Sequence, residues 1–207
     1  MVKNVLFSIL LVALAFSVLF LSILRTASVR YEFGETTNTL PKKNIDSQVD
    51  YFLAYPGKVL PDSFLWPLKV LRDKIWFIIT TDQGKKADLL LLFADKRLAS
   101  AKLLFEKGKP EIAFATLEKS QQYLIEAGEK ESKNFQDGLD TSGFSIRYAK
   151  ASLKHFEVME QILITAPDDA KPKIIELQNI PKKEFEHARN DLLEKGLVPP
   201  NNPFNWQ

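Results

Sequence analysis

The chain contains no cysteine. Thiol nucleophiles, disulfides, iron–sulfur clusters and thiolate zinc sites are therefore excluded, and an oxidising compartment would be tolerated. Histidine is scarce too: 2 in 207 residues leave few groups that change charge near neutral pH. Charge of one sign is also missing. The 28 basic and 26 acidic residues are interleaved for a formal net charge of +2, so no field steers the chain toward nucleic acid, which is not an expected partner. The 8 glycines stand singly, most of them at expected turns and helix ends. That pattern contains no phosphate-cradling loop, nucleophile elbow or dinucleotide fingerprint. Nor does any stretch alternate in the way that several strands with turns between them require.

What is present begins with VLFSILLVALAFSVLFLSIL, residues 5–24, which carries no charge, proline or glycine. About 20 helical residues at 1.5 Å each span a hydrocarbon core of about 30 Å, so the lipid bilayer is the expected partner of this segment. A cleaved signal peptide is the alternative, giving a secreted chain. Its apolar region is usually about 7–15 residues and ends in small side chains, whereas Arg25 sits where a cleavage site after Ala27 wants one. Residues 1–27 are thus expected to be an uncleaved single-pass anchor. Lys3 on one flank and Arg25 and Arg30 on the other do not decide orientation. A large domain behind one early apolar segment favours placing the C-terminal part outside the cytoplasm. Residues 28–54 are mixed and polar and predict a flexible stalk. Tyr51, Phe52, Leu53 and Tyr55 at its end are expected to pack against the first bundle helix.

Residues 55–196 predict an all-α bundle of about four to six helices, with an extended tail over 197–207. Trp66-Pro67 starts a helix to about Thr80, because proline suits a first helical position and disfavours helical geometry just before it. Leu68, Leu71, Ile75, Ile78 and Ile79 are its expected inward face, Lys69, Arg72 and Asp73 its outward one, with Trp66 and Trp76 at the ends. Asp82 caps the next helix, whose stripe Ala87, Leu91, Ala94, Leu98, Ala101 and Phe105, widened by Leu90 and Leu104, marks the centre of the bundle. It stops at Gly108. Pro110 opens a third helix with Phe114, Leu117, Gln121, Leu124 and Gly128 in line, followed by a loop over 136–143. Another helix runs from Phe144 to Ile164 with Ile146, Ala149, Leu153, Phe156 and Leu163 on one side. A short helix around Ile174 and a last one through Phe185, Ala188 and Leu192 to Gly196 are separated by prolines. Phe204 and Trp206 are positioned to dock back on the bundle.

The residues that invite a chemical reading are few. His155, between Leu153 and Phe156, has the setting of a hydrogen-bonded core histidine. Glu184 and His187 share a helix face three residues apart, half of a di-iron carboxylate arrangement, but Ser152 stands where a second Glu-x-x-His pair would need its glutamate. Asp95 and Arg97 lie at the edge of the central stripe, suited to pairing with a neighbouring helix, with Lys96 solvated. No catalytic residue, metal ligand or cofactor site is assigned.

The runs LPDSFLWPLKVLRDKI, TTDQGKKADLLLLFADKRLASAKLLFEKGK, TLEKSQQYL and ASLKHFEVMEQIL, with PDDAKP after them, resemble an uncharacterised bacterial family of domains of unknown function. Its pattern has a proline-rich L-P-x-S-x-x-Y-x-L-K opening, a helix with A-x-x-R-L and a later helix carrying K-H. The resemblance covers roughly residues 55–172. Phe64 replaces a frequent second proline, and Trp66 a usual tyrosine. It implies a secreted or membrane-anchored helical domain without an established activity. The expectation is a non-enzymatic, membrane-anchored extracytoplasmic module for protein interaction or spacing at the cell envelope, with an unknown protein partner. It should have an exposed apolar patch and no polar cavity. The alternative is a sensor or carrier with a small-ligand pocket lined by His155, Tyr148 or Gln121.

Overall fold

The computed structural model describes residues 47–204 and Trp206. The expected anchor and the stalk as far as residue 46 lie outside the described residues. Within them are six helices: α1 (Trp66–Ile79), α2 (Gln83–Glu106), α3 (Pro110–Gln136), α4 (Ser142–Thr165), α5 (Lys171–Leu177) and α6 (Asn179–Glu194). There is no strand among the described residues, and no helix there is long and apolar enough to cross a membrane.

Helix ends fall where local chemistry puts them. The Asp82 carboxylate accepts a 2.8 Å hydrogen bond from the Lys85 amide, satisfying one of the free donors that open α2. Gly108 takes φ 66° after the other end of α2, a left-handed turn that spares any side chain, and Pro110 then starts α3. The α5–α6 boundary is tighter than the prolines suggested. Only Gln178 separates the two helices, and Pro181 sits inside the first turn of α6, where its missing N–H breaks no intrahelical bond.

Helices α2, α3, α6 and α4 form a ring in that order, with α2 and α3 in the most intimate contact. The expected stripe of α2 is the centre: Ala94, Leu98, Ala101 and Leu104 are fully buried and Ala87, Leu91 and Phe105 nearly so. Burying each large apolar side chain there contributes roughly 1.5–3 kcal/mol before chain entropy is counted. On α3, Phe114, Leu117, Gln121 and Leu124 are buried as expected. On α4, Ile146 is an exception, being exposed, while Phe144 and Tyr148 fill the interior and stack at 5.7 Å. The tail does fold back: Phe204 and Trp206 stack on each other and meet Phe156 edge-on at 4.8 and 4.1 Å.

Two expectations fail at the N-terminal side. The chain is already fixed at the end of the expected stalk: Val49 is buried, the Gln48 amide donates to Glu157 at 2.7 Å, and the Tyr51 hydroxyl donates to Asp95 at 2.7 Å. This short strap lies on α2 and α4, whereas Phe52 and Tyr55 face solvent instead of packing on α1. The second failure is α1 itself, which is turned over. Leu68, Leu71, Ile75, Ile78 and Ile79 are all exposed, while Asp73, assigned outward, is buried.

Candidate functional site

The side chains that looked chemical meet inside the bundle. Asp95 on α2 lies 3.1 Å from the His155 ring nitrogen Nε2 on α4, and His155 Nδ1 lies 3.4 Å from Gln121 Nε2 on α3. Tyr51 reaches the second Asp95 oxygen from the strap, and nearby the Ser120 hydroxyl donates to the Ala94 carbonyl at 2.8 Å. His155 and Gln121 have no exposed surface and Asp95 is 3% exposed. Burial, with the Asp95 charge beside it, pushes the Tyr51 hydroxyl far above its ordinary pKa, so it serves as a fixed donor. The group ties three helices and the strap together with directional bonds that an apolar core lacks. Asp95 does pair with a neighbouring helix, and His155 is the core histidine that its position suggested. His155, Tyr148 and Gln121 are packed in the interior.

Glu184 and His187 part company. The Tyr148 hydroxyl donates to Glu184 at 2.6 Å and to the Leu124 carbonyl at 2.9 Å, while His187 is more than half exposed and lies 3.4 Å from Asp191. Burial raises the Glu184 pKa, only partly offset by the Tyr148 hydrogen bond. Both residues edge a groove of about 620 Å³ between α3 and α6, with Gly128 and Ser132 on the facing wall. Among the described residues no cluster of three or more His, Asp or Glu is placed to hold a metal ion.

The remaining candidate is α1, whose two faces carry opposite characters. Its inner side holds Trp66, Lys69, Asp73 and Phe77. The Lys69 ammonium donates to the carbonyls of Pro56 and Val59 at 2.6 and 2.9 Å, binding the helix to the loop before it. Burial, reinforced by Arg97, lowers the Lys69 pKa to about 8. The Arg97 guanidinium, 8% exposed, lies 4.2 Å from the centre of the Trp66 ring, and burial lowers its pKa as well. Trp76 meets Phe93 edge-on at 6.3 Å. The α1 backbone stands off from the ring of four helices, which it touches through these long side chains.

The outer side is aliphatic. At 100° per residue Ile78, Leu71, Ile75, Leu68 and Ile79 fall within one arc of about 100°, bounded by Lys74 on one edge and Arg72 on the other. Exposures run from 42% at Leu71 to 74% at Ile78, and Phe64 just before the helix is 89% exposed. With Leu65 and Trp76 the strip presents on the order of 1,000 Å² of side-chain surface, well above the few hundred Å² usual for a monomer. Sequence periodicity found this stripe but assigned it to the core. The signal for the opposite orientation was Arg97, a cation inside an apolar helix that required an aromatic and polar cover.

These features define a helical-bundle domain with a hydrogen-bonded polar cluster in its interior and, among the described residues, one uncovered apolar helix face. The chain belongs to the family described as Domain of unknown function (DUF5667), whose model matches residues 58–169, more than half its length. The match takes in α1 to α4, including the turned-over helix. No curated protein and no solved structure matches the chain.

Proposed function

We propose that this protein is a non-enzymatic module of the cell envelope, tethered through residues 5–24 with its bundle outside the cytoplasm, which works by surface contact rather than by chemistry. The observation that carries this reading is the outer face of α1, where five aliphatic side chains on two helical turns and more remain uncovered. A face of that size is an interaction surface by its physical chemistry. Supporting it, His155, Asp95 and Tyr51 are committed to one another in the interior, and Lys69 and Arg97 hold α1 in place. The tether rests on the uncharged run at residues 5–24. Reporter fusions after Gln207 test the placement. A reporter active only outside the cytoplasm should give signal, and signal from a cytoplasm-restricted reporter alone would reverse the assignment.

A small-ligand carrier is the second reading, favoured by the groove between α3 and α6. Its largely apolar walls carry a few polar groups, among them Glu184, His187 and Ser132, an arrangement that can orient a small solute. A thermal-shift screen of polar metabolites separates the readings: a compound that stabilises the wild type but not a His187→Ala variant would favour the carrier.

A further inference from the structure

We propose that the partner of the α1 face is the lipid bilayer itself, so that α1 lies in the membrane interface as a second, reversible contact beside the tether. The inference deepens the contact-module reading by naming what covers the face. Three observations favour lipid over a second copy of the chain.

The first is the layout of the helix. Its 14 residues form a rod of about 21 Å, with the aliphatic arc on one side, Arg72 and Lys74 along the two edges and Trp76, 41% exposed, at the margin. Basic edges beside an apolar face, with an aromatic ring near the boundary, match the headgroup and acyl layers that an interfacial helix meets.

The second is charge. Between Lys58 and Lys74 the acidic side chains are withdrawn: Asp73 is 7% exposed, and Asp62 is paired with Lys109 at 2.7 Å. Lys58 and Lys74 are exposed, and Arg72, though bridged to Asp73 at 2.6 Å, remains 61% exposed. The stretch thus presents more cationic than anionic surface, complementary to anionic lipid and repulsive toward an identical face on another copy.

The third is reach. The strap is fixed to the bundle from Ser47, so residues 25–46 are the only chain between the apolar run and the domain. Fully extended they span at most about 75 Å. A domain joined to a membrane-embedded run through no more chain than that experiences bilayer at a high effective concentration, which makes a weak interfacial helix sufficient.

The test uses the full chain reconstituted in vesicles of phosphatidylcholine with one third phosphatidylglycerol. Because the chain has no cysteine, single Ile79→Cys and Glu194→Cys variants carry an environment-sensitive fluorophore at one defined place each. Quenchers attached to lipid chains should reduce emission at position 79 roughly threefold more than at 194, as burial at the acyl boundary requires. Adding Leu71→Lys and Ile75→Lys, both at exposed positions, should return position 79 to the level of 194 while circular dichroism stays unchanged. A label at 79 that lipid quenchers reach no better than at 194 overturns the proposal. So does one shielded from water but not lipid-quenched, and dependent on protein concentration, which is the signature of a second copy. A carbonate wash followed by flotation reads the tether separately. Chain that floats with position 79 in water sinks this inference and leaves the tether standing, whereas chain released by carbonate but lipid-quenched before it sinks the tether and supports α1.

Discussion

Lys195→Met offers a sharp check on the packing described above, because the lysine is the only cation in a buried cluster. Its side chain is 6% exposed, and the ammonium uses its three protons on Glu131 at 2.5 Å, Thr141 at 2.8 Å and Ser145 at 2.8 Å. Glu131, itself 3% exposed, also accepts from Thr141 and Ser145 at 2.7 Å each. Burial alone would raise the Glu131 pKa, but the bonds from Lys195, Thr141 and Ser145 outweigh it and hold the carboxyl below its ordinary 4.5. Removing the cation leaves a buried carboxylate with two neutral donors. Breaking a buried pair costs about 3–5 kcal/mol, and the surviving hydroxyls place this case at the lower end, about 3 kcal/mol. For a domain of this size that is a fall in Tm of roughly 6–12 °C.

The sign with pH follows from the depressed value. In the wild type the contribution of Glu131 is fully present above 4.5 and is lost as pH falls through the lower folded value. In Lys195→Met the penalty belongs to the charged carboxylate, so it shrinks as pH falls through the folded value, which loss of the cation raises. Glu131→Gln combined with Lys195→Met should recover most of the loss at neutral pH, since the amide oxygen still accepts from Thr141 and Ser145. Urea unfolding followed by circular dichroism measures all three quantities. A single variant within about 0.5 kcal/mol of wild type at neutral pH, the range of ordinary surface substitutions, would refute the reasoning.

Gly128→Ala should destabilise despite the gain of up to about 1 kcal/mol in helix propensity, because the new methyl meets the Tyr148 ring at 2.9 Å and its hydroxyl closer still. A net loss of about 1–2 kcal/mol is expected in thermal melts, against a small gain for Gly143→Ala, where only the tip of Arg147 is near, at 3.8 Å. Tyr51→Phe removes a donor to Asp95 and should cost about 1.5 kcal/mol while speeding hydrogen exchange across the strap. Phe52→Ala, at a 94% exposed position, should do neither. For Glu184 the sign is opposite to that of Glu131. Burial raises its folded pKa, so the native state loses stability as pH rises through that value, and Glu184→Gln should raise the neutral-pH Tm and flatten this slope.

Much of the bundle was legible because its signals are local. Asp82, Gly108, Pro110 and the Ala87 to Phe105 stripe fix two helices and their shared face through interactions spanning a few residues. The role of His155 was legible too, from its apolar neighbours. What escaped depends on partners far apart in the chain. Lys195 and Glu131 are 64 residues apart, Gln48 and Glu157 are 109, and nothing in either local pattern announces the other. Lys195, Glu131 and Glu157 are also polar groups whose burial runs against their intrinsic preference and is stable only once their hydrogen bonds are made. The strap was missed for a related reason. Residues 47–54 show no period, yet Val49 and Tyr51 suffice to fix the chain when a hydrophobic slot and Asp95 await them.

The orientation of α1 is a different kind of miss. Periodicity identifies an apolar face but not whether protein or something else covers it. Turning Leu68, Leu71, Ile75, Ile78 and Ile79 outward forgoes, even at their partial exposures, on the order of 5 kcal/mol of burial, a large share of the 5–15 kcal/mol that stabilises a typical domain. The inner face gives back little of that, since seating Lys69, Asp73 and Arg97 under cover carries its own desolvation cost. A face left open at that expense is thermodynamically incomplete in water alone. Covering it restores the missing burial, so association at α1 and the stability of α1 are one equilibrium, and whatever covers the face also decides how firmly α1 sits on the bundle.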